Sequence, residues 1–460
     1  MLVLERGPRR SHGELIDDRA GLMDATRGLY RSVGRSVGRS GEERKPWRFA
    51  ALFGGSSNLW FGNTPRMLAE DFELQRRYGV GWDWPIGYDD LAPYYDEAET
   101  LMAVAGPTRS PQDRGGRPYP QPAHALSLPE QRLLARHGDD FFPCPSARAS
   151  VDPAGPGARS RCCASYVCNL CPVDAKFTVQ NGMAAPFADP RVELRLGARV
   201  QAVDHGAGVA TGVHWREGSG AGAREQQASG ALIALGANAL FNAHILLRSG
   251  LESGPVGRYL HEQAAVTAVI DLEGVDNFQG STSCTGLHYR YARGPRRREQ
   301  AAVLLETYSS VHLRLSPGRW RQAMVVTGIF ETLPDADSRV TIDPQDPERP
   351  LTEYRGPGDY CRRSIVGFAG DLERMLDGLP IGDTHVAKPD DSLGHILGTA
   401  RMGVDPESSV VDGDQIHHGL RNLLVLGGSS FPSGAPARPS LTIAALSLRS
   451  ARRLLASSTP

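Results

Sequence analysis

The chain has 460 residues, 40% of them hydrophobic and 22% charged, which is enough apolar material to bury a large core and to form two domains. Its 51 Lys and Arg nearly cancel its 52 Asp and Glu, for a net charge of -1, so no global field gathers nucleic acid or an anionic membrane surface. No stretch approaches the roughly 18 to 20 uninterrupted apolar residues of a membrane span, and no transmembrane segment is expected.

In chain order, the opening run Leu2 to Glu5 reads as a short buried strand that ends on an acid. In a dinucleotide-binding unit the second strand ends on an acid that hydrogen-bonds the adenosine ribose, about 20 residues beyond a glycine-rich turn. Glu5 suits that place although no such turn precedes it; an ordinary first strand with a solvated Glu is the alternative. Gly79-Val80-Gly81 runs into Trp82-Asp83-Trp84 rather than into a helix, so it is not a phosphate-binding fingerprint. Residues 106–160 are rich in Pro, Gly, Arg and Ser without a sustained period, which predicts a long surface excursion rather than a packed layer.

Cys162, Cys163, Cys168 and Cys171 crowd together next, while Cys144, Cys284 and Cys361 are scattered, which is not the spacing of a disulfide framework. Thiolates so spaced on an irregular loop can surround one soft metal centre, whereas zinc, a labile disulfide or free thiols fit the same residues. Residues 190–250 alternate strand signals with a helical stretch at 239–249, as in an α/β layer. The glycine-rich Gly218 to Ala223 joins two alternating apolar runs there and reads as a hairpin loop. Several alternating runs between 265 and 345 predict an antiparallel sheet. From Leu423 a buried strand meets a glycine turn, and 441–455 then reads as a helix.

The C-terminal segment carries an ordered series: His395, Gly398-Thr399, Arg401-Met402-Gly403, Asp405-Pro406, Val410-Val411-Asp412, His418-Gly419, Asn422-Leu423, Ser429-Ser430-Phe431-Pro432 and Pro439-Ser440-Leu441-Thr442-Ile443. It resembles that of the glucose-methanol-choline (GMC) flavin oxidoreductases. Gly54-Gly55-Ser56-Ser57-Asn58 resembles the family's loop against flavin and pyrophosphate, Asp83-Trp84-Pro85-Ile86 to Tyr94-Tyr95 the segment that follows it, and Gly236-Ala237-Asn238 to Gly250 the strand-turn-helix of the nucleotide domain. The resemblance implies an α/β fold, α+β overall. A doubly wound, discontinuous FAD-binding domain (1–60, 190–262 and 395–460) is interleaved with an antiparallel-sheet substrate-binding domain (263–394). Residues 61–189 form an excursion bearing the cysteine-rich loop. The family's first strand, glycine turn and helix would precede Met1 by about 30 residues, so the FAD domain is expected to be N-terminally truncated here.

The resemblance implies FAD as cofactor, held by Glu5, Gly54, Gly55, Ser56, Asn58, Val200, Gly236, Gly428, Ser429, Pro439, Ser440 and Leu441. It makes His395 the base that takes the hydroxyl proton as hydride leaves for flavin N5, and imidazole suits this because its ordinary pKa lies near working pH. The family's second polar position, His or Asn before the Pro-Ser-Leu-Thr run, is Arg438 here. Arginine cannot act as a base at neutral pH, but it can hold an alkoxide, a carboxylate or a sugar hydroxyl, or swing outward. Gly427, where many relatives carry Asp, tilts the substrate towards carbohydrates.

The pattern Cys-Cys-x4-Cys resembles bacterial FAD-dependent sugar dehydrogenases in which it ligates a three-iron four-sulfur cluster that feeds a cytochrome subunit. Cys162, Cys163 and Cys168 are then the implied ligands, and a cytochrome or small subunit the implied partner. The resulting expectation is an alcohol or sugar dehydrogenase with a non-oxygen acceptor. The alternatives are an oxidase, or a shortened non-catalytic member acting as a binding subunit.

Overall fold

The computed structural model describes residues 1–17, 38–39, 45, 47–112, 114–152, 159–218, 220–277, 280–309, 314–390 and 392–457. The chain starts on strand β1 (Leu2–Glu5). Further along come helix α1 (Tyr88–Leu101), helix α2 (Leu128–Arg136) and strand β2 (Phe141–Pro143). Pro129 in the first turn of α2, where a missing N–H costs nothing, and Glu130 reaching back to the Ser127 N–H start that helix.

Strands β3 (Glu193–Leu196), β4 (Ala198–Gly206), β5 (Val209–Glu217) and β6 (Arg224–Ser229) follow, then β7 (Ile233–Leu235) and helix α3 (Asn238–Arg248). Next are β8 (Ala264–Leu272), β9 (Cys284–His288), β10 (Val303–Tyr308), β11 (Ala323–Phe330) and β12 (Ile381–Val386). The chain closes on β13 (Leu423–Val425) and helix α4 (Ser440–Ser457).

Two parallel pairs carry the α/β part. β1 lies along β3 with Glu5 opposite Leu196, and β7 lies along β13 with Leu235 opposite Val425. β4, β5 and β6 form an antiparallel meander, with Glu217 of β5 opposite Arg224 of β6 across the glycine-rich hairpin that the sequence predicts. One apolar core lies under these strands and takes in Leu235, Leu246, Leu423, Val425, Leu441 and Leu446. α4 packs on α1 at its edge, where Tyr95 Oη lies 2.8 Å from Thr442 Oγ1.

The predicted antiparallel sheet is six-stranded, in the order β12-β8-β11-β10-β9-β2. Its faces differ. On β10, Val303, Leu305 and Thr307 share one face and Leu304, Glu306 and Tyr308 the other, because strand side chains alternate. The first face builds a second core with Phe330, Phe368 and Met375.

Two expectations change. Leu2–Glu5 is half-buried throughout rather than buried, because β3 is its one strand neighbour among the described residues. Residues 106–160 are not a surface excursion. They contain α2 and contribute β2 to the large sheet, and Leu133, Phe141, Ala147 and Ala149 are fully buried there. Proline and glycine in that region bend the chain between packed pieces instead of keeping it out of the core.

Candidate active site

Residues 395–402 form a rung between the two halves of the fold. Leu397 and His261 exchange backbone hydrogen bonds at 3.1 and 2.9 Å. The N–H groups of Gly398, Ala400 and Met402 donate to the carbonyls of Gly428, Ser429 and Ser430 at 3.0, 2.8 and 2.8 Å. Gly398 is obligatory in this rung: its φ is +97° and a Cβ there would stand 2.2 Å from the Tyr259 carbonyl oxygen.

His395 enters the site from the start of that rung. Its backbone N–H donates to Glu262 at 2.7 Å, and Glu262 is neutralised by Lys45 at 2.9 Å. Its ring Nδ1 lies 2.6 Å from Oε1 of Gln263. The amide nitrogen of Gln263 donates to the carbonyls of Ala435 and Ala437, so Oε1 faces the imidazole and can only accept. The proton of a neutral His395 therefore sits on Nδ1. Nε2 keeps its lone pair and makes no hydrogen bond to any described residue, on a ring that is half-buried rather than sealed. Burial, aided by the Arg438 guanidinium, pushes the His395 pKa down to about 3. The imidazole is thus neutral across the working range, which corrects the expectation of a base poised near neutrality.

Arg438 is held rather than swung outward. Its Nε donates to Glu306 Oε1 at 2.6 Å, and its Nη2 to Glu306 Oε2 in a two-pronged ion pair. Tyr308 Oη donates to Glu306 Oε2 at 2.5 Å and Asn63 donates to Oε1 at 3.1 Å. Burial pushes the Glu306 carboxyl up, but Arg438, Tyr308 and Asn63 outweigh it and hold the pKa below the usual carboxylate range. Glu306 and Tyr308 reach one guanidinium together because they stand two apart on β10. Gln263, Glu306, Tyr308 and Asn63 were not among the residues that the sequence singled out. A Glu inside the apolar run Val303-Leu304-Leu305-Glu306 was the available signal.

The cofactor candidates gather around three backbone turns. At the end of β1 the Glu5 carboxylate accepts the Gly7 N–H at 2.6 Å, and burial raises its pKa. A cavity of about 620 Å³ lined by Arg6, Pro8, Arg9, Gly197, Arg199 and Arg216 opens beside it. The Phe53 N–H bonds the Pro8 carbonyl at 3.0 Å, which brings the Gly54–Asn58 loop to this strand end. Within that loop Gly54 and Gly55 take φ of +88° and +55°, and Ser56 Oγ accepts the Ala50 N–H.

Asn58 has no spare amide for a ligand: Nδ2 donates to Phe53 and Gly55 carbonyls and Oδ1 accepts from Gln180, so it shapes the loop. Val200 sits half-buried on β4 opposite Trp215. Arg6 stacks at 4.4 Å over Phe241 of α3, the helix that follows the Gly236 turn. Asn242 ties α3 to the third turn through the Leu426 carbonyl and Ser429 Oγ, so Ser429 is structural here. Gly428 is packed against the Ile396 carbonyl, and Pro439, Ser440 and fully buried Leu441 open α4.

These residues suit a flavin dinucleotide. Added Cβ atoms at Gly55, Gly236 and Gly427 would meet nothing within 4 Å, so each turn has an unobstructed face that a ligand can approach. The first turn of α4 offers backbone N–H groups without helical partners.

The cysteine loop does not assemble the expected ligand set. Cys162 and Cys168 each lie 3.6 Å from Thr282 Oγ1, while Cys163 is exposed. Among the described residues no group of three or more His, Cys, Asp or Glu is disposed to hold a metal ion. Cys162 is half-buried against Thr282, whereas Cys163 next to it is exposed. Arg148 and Lys176 are buried beside it, bonded to carbonyls and Asn63, with no carboxylate partner among the described residues. Burial pushes the Cys168 thiol up, but Arg148 and the Ser283 and Thr282 hydroxyls outweigh it and lower its pKa.

A histidine with a fixed tautomer, beside glycine turns open to a dinucleotide, suits a flavin-type oxidoreductase. Residues 334–447 match the GMC oxidoreductase family model. The fructose dehydrogenase large subunit of Gluconobacter japonicus is 24% identical over 521 aligned positions, covering 99% of this chain and 93% of that protein. The paromamine 6'-oxidase of Streptomyces fradiae is 28% identical, over 89% of this chain and 79% of that one. Among solved structures, pyridoxine 4-oxidase from Mesorbium loti matches with a TM-score of 0.65 at 15% identity, over 99% of this chain and 94% of that one. The family match and the relatives together support membership of the GMC oxidoreductases, a family of flavoprotein enzymes, and the solved structure shows the same fold.

Proposed function

We propose that this protein is an FAD-dependent dehydrogenase that oxidises a CH–OH group of an alcohol or sugar and passes the electrons to an acceptor other than oxygen. The observation that carries the reading is the lone pair on His395 Nε2, exposed to the site by the Nδ1–H to Gln263 bond. When bound, FAD supplies the hydride acceptor. His395 Nε2 takes the hydroxyl proton, because a carbinol that keeps its proton is a poor hydride donor. Glu262 fixes the backbone of His395, and Arg438 offers its remaining N–H groups to a substrate oxygen. Glu5, the Gly54–Ser56 turn, Val200, Gly236, Gly428 and the start of α4 at Pro439, Ser440 and Leu441 hold the dinucleotide. The names of the two curated relatives, for fructose and for paromamine, support a carbohydrate-like substrate. "Dehydrogenase large subunit" supports both the non-oxygen acceptor and a partner subunit.

The test is anaerobic dye reduction compared with oxygen uptake on a panel of sugars and alcohols. Dye reduction with little oxygen uptake supports the dehydrogenase; matched oxygen uptake makes it an oxidase. No reduction with any donor refutes the catalytic reading.

A three-iron four-sulfur cluster on Cys162, Cys163 and Cys168 does not suit the thiols as they stand, and no electron-transfer step is routed through it. What supports an anionic centre there is the pair of buried cations, Arg148 and Lys176, at its back. Iron analysis of anaerobically prepared protein, with Cys163→Ser as control, decides it.

A further inference from the structure

Arg438 is a buried-edge cation in a site that the family chemistry leaves to a neutral side chain, and its charge decides what can enter. Two of its three guanidinium nitrogens, Nε and Nη2, are taken by Glu306. The third, Nη1, makes no hydrogen bond to any described residue, on a side chain 13% exposed. Glu306 is itself 0% exposed and accepts from Arg438, Tyr308 and Asn63, which leaves it ionised and locked. The charges of this corner therefore cancel: Arg438 with Glu306, Lys45 with Glu262, and a neutral imidazole on His395. A carboxylate brought against Nη1 would sit beside Glu306 with no cation left to balance it, and burying an unbalanced charge is strongly unfavourable. An uncharged hydroxyl loses only one hydrogen bond to water and gains a charge-assisted one from a donor already fixed in direction.

We propose that Glu306 determines specificity by clamping and neutralising Arg438, so that the site takes uncharged polyols and sugars, with Nη1 donating to a substrate hydroxyl, and rejects hydroxy acids. The inference rests on the function proposed above and narrows its substrate class. Glu306 is a positioning residue in this account, since it acts through Arg438.

The test compares the FAD-loaded parent with Glu306→Gln, which keeps shape and removes the negative charge. Calorimetric titration with acetate reads anion binding without turnover. Anaerobic flavin reduction by glycerol, D-glucose and D-fructose, against glycerate and gluconate, reads selectivity. The parent should show no acetate heat and should be reduced only by uncharged donors. E306Q should bind acetate at least tenfold more tightly and shift kcat/KM towards the anionic donors by tenfold or more. The double variant E306Q/R438Q should lose the acetate binding again. Equal acetate affinity in parent and E306Q, or an unchanged donor ratio, overturns the inference while leaving the dehydrogenase reading intact. A parent reduced by none of the donors brings down both.

Should E306Q fail to fold, Arg438→Lys gives the answer. It keeps the ion pair but not the forked donor, so anions should stay excluded while KM for uncharged donors rises about tenfold. Acetate binding by R438K overturns the inference.

Discussion

His395 holds its Nδ1 2.6 Å from the side-chain oxygen of Gln263, and that bond decides which ring nitrogen can work as a base. Gln263 is itself pinned by two backbone carbonyls, so the amide cannot turn to offer its NH2 instead.

Replacing His395 with Ala should leave the flavin spectrum of FAD-loaded protein unchanged, because no cofactor-binding turn depends on the imidazole. The hydride step should slow by about 10² to 10⁴, roughly 3 to 5 kcal/mol of transition-state stabilisation. Stopped-flow reduction of the flavin isolates that step. A rate within threefold of the parent would mean that the base has been misassigned.

Because burial and Arg438 hold His395 near pKa 3, flavin reduction in the parent should show no inflection from this group between pH 5 and 8. Gln263→Glu places a carboxylate on Nδ1, favours the imidazolium and raises its pKa. The rate should then fall as pH drops through the new, higher value. Gln263→Leu, which frees the tautomer, should lose about tenfold in rate at every pH. A Q263E profile as flat as the parent's would remove Gln263 from the mechanism.

Thiol chemistry checks the geometry of the cysteine loop. Ellman titration of native, metal-free protein should find one fast-reacting thiol, the exposed Cys163, and this phase should vanish in Cys163→Ser. Cys168 has a lowered pKa but is buried behind Ser283 and Thr282, so it should react only after unfolding. A fast phase that persists in C163S would show that the loop opens in solution.

Gly398→Ala probes the rung that carries His395. A left-handed φ and a Cβ pressed on the Tyr259 carbonyl should cost at least about 2 to 3 kcal/mol in denaturant unfolding, with an unchanged m-value. A loss below 0.5 kcal/mol, on the order of an exposed surface change, would mean that the rung adjusts freely.

Much of this was legible in the sequence where a local rule applies. The Leu423 strand and glycine turn, the 441–455 helix and the alternating runs of the large sheet announce themselves by period and by composition. His395 and Arg438 stand out in the sequence through an ordered motif. Their partners do not, because Gln263 and Glu306 lie at the start and middle of apolar strands, and nothing local says which face meets which loop. Residues 106–160 misled for the opposite reason: composition reports how a chain bends and not what it packs against. The consecutive cysteines 162 and 163 show the same limit, since neighbours in sequence differ in burial, and among the described residues no group of three ligands is disposed to hold a metal ion.

Both decisive bonds of the site close very long loops: Gln263 to His395 and Glu306 to Arg438 each span 132 residues. Each requires two segments far apart in the sequence to be brought together, at an entropic cost that grows with the loop between them. In refolding, helical content and much of the sheet can return while the base still lacks its tautomer and the cation its clamp. Contacts of such separation are slow to form, so in refolding the recovery of site geometry should trail the recovery of secondary structure.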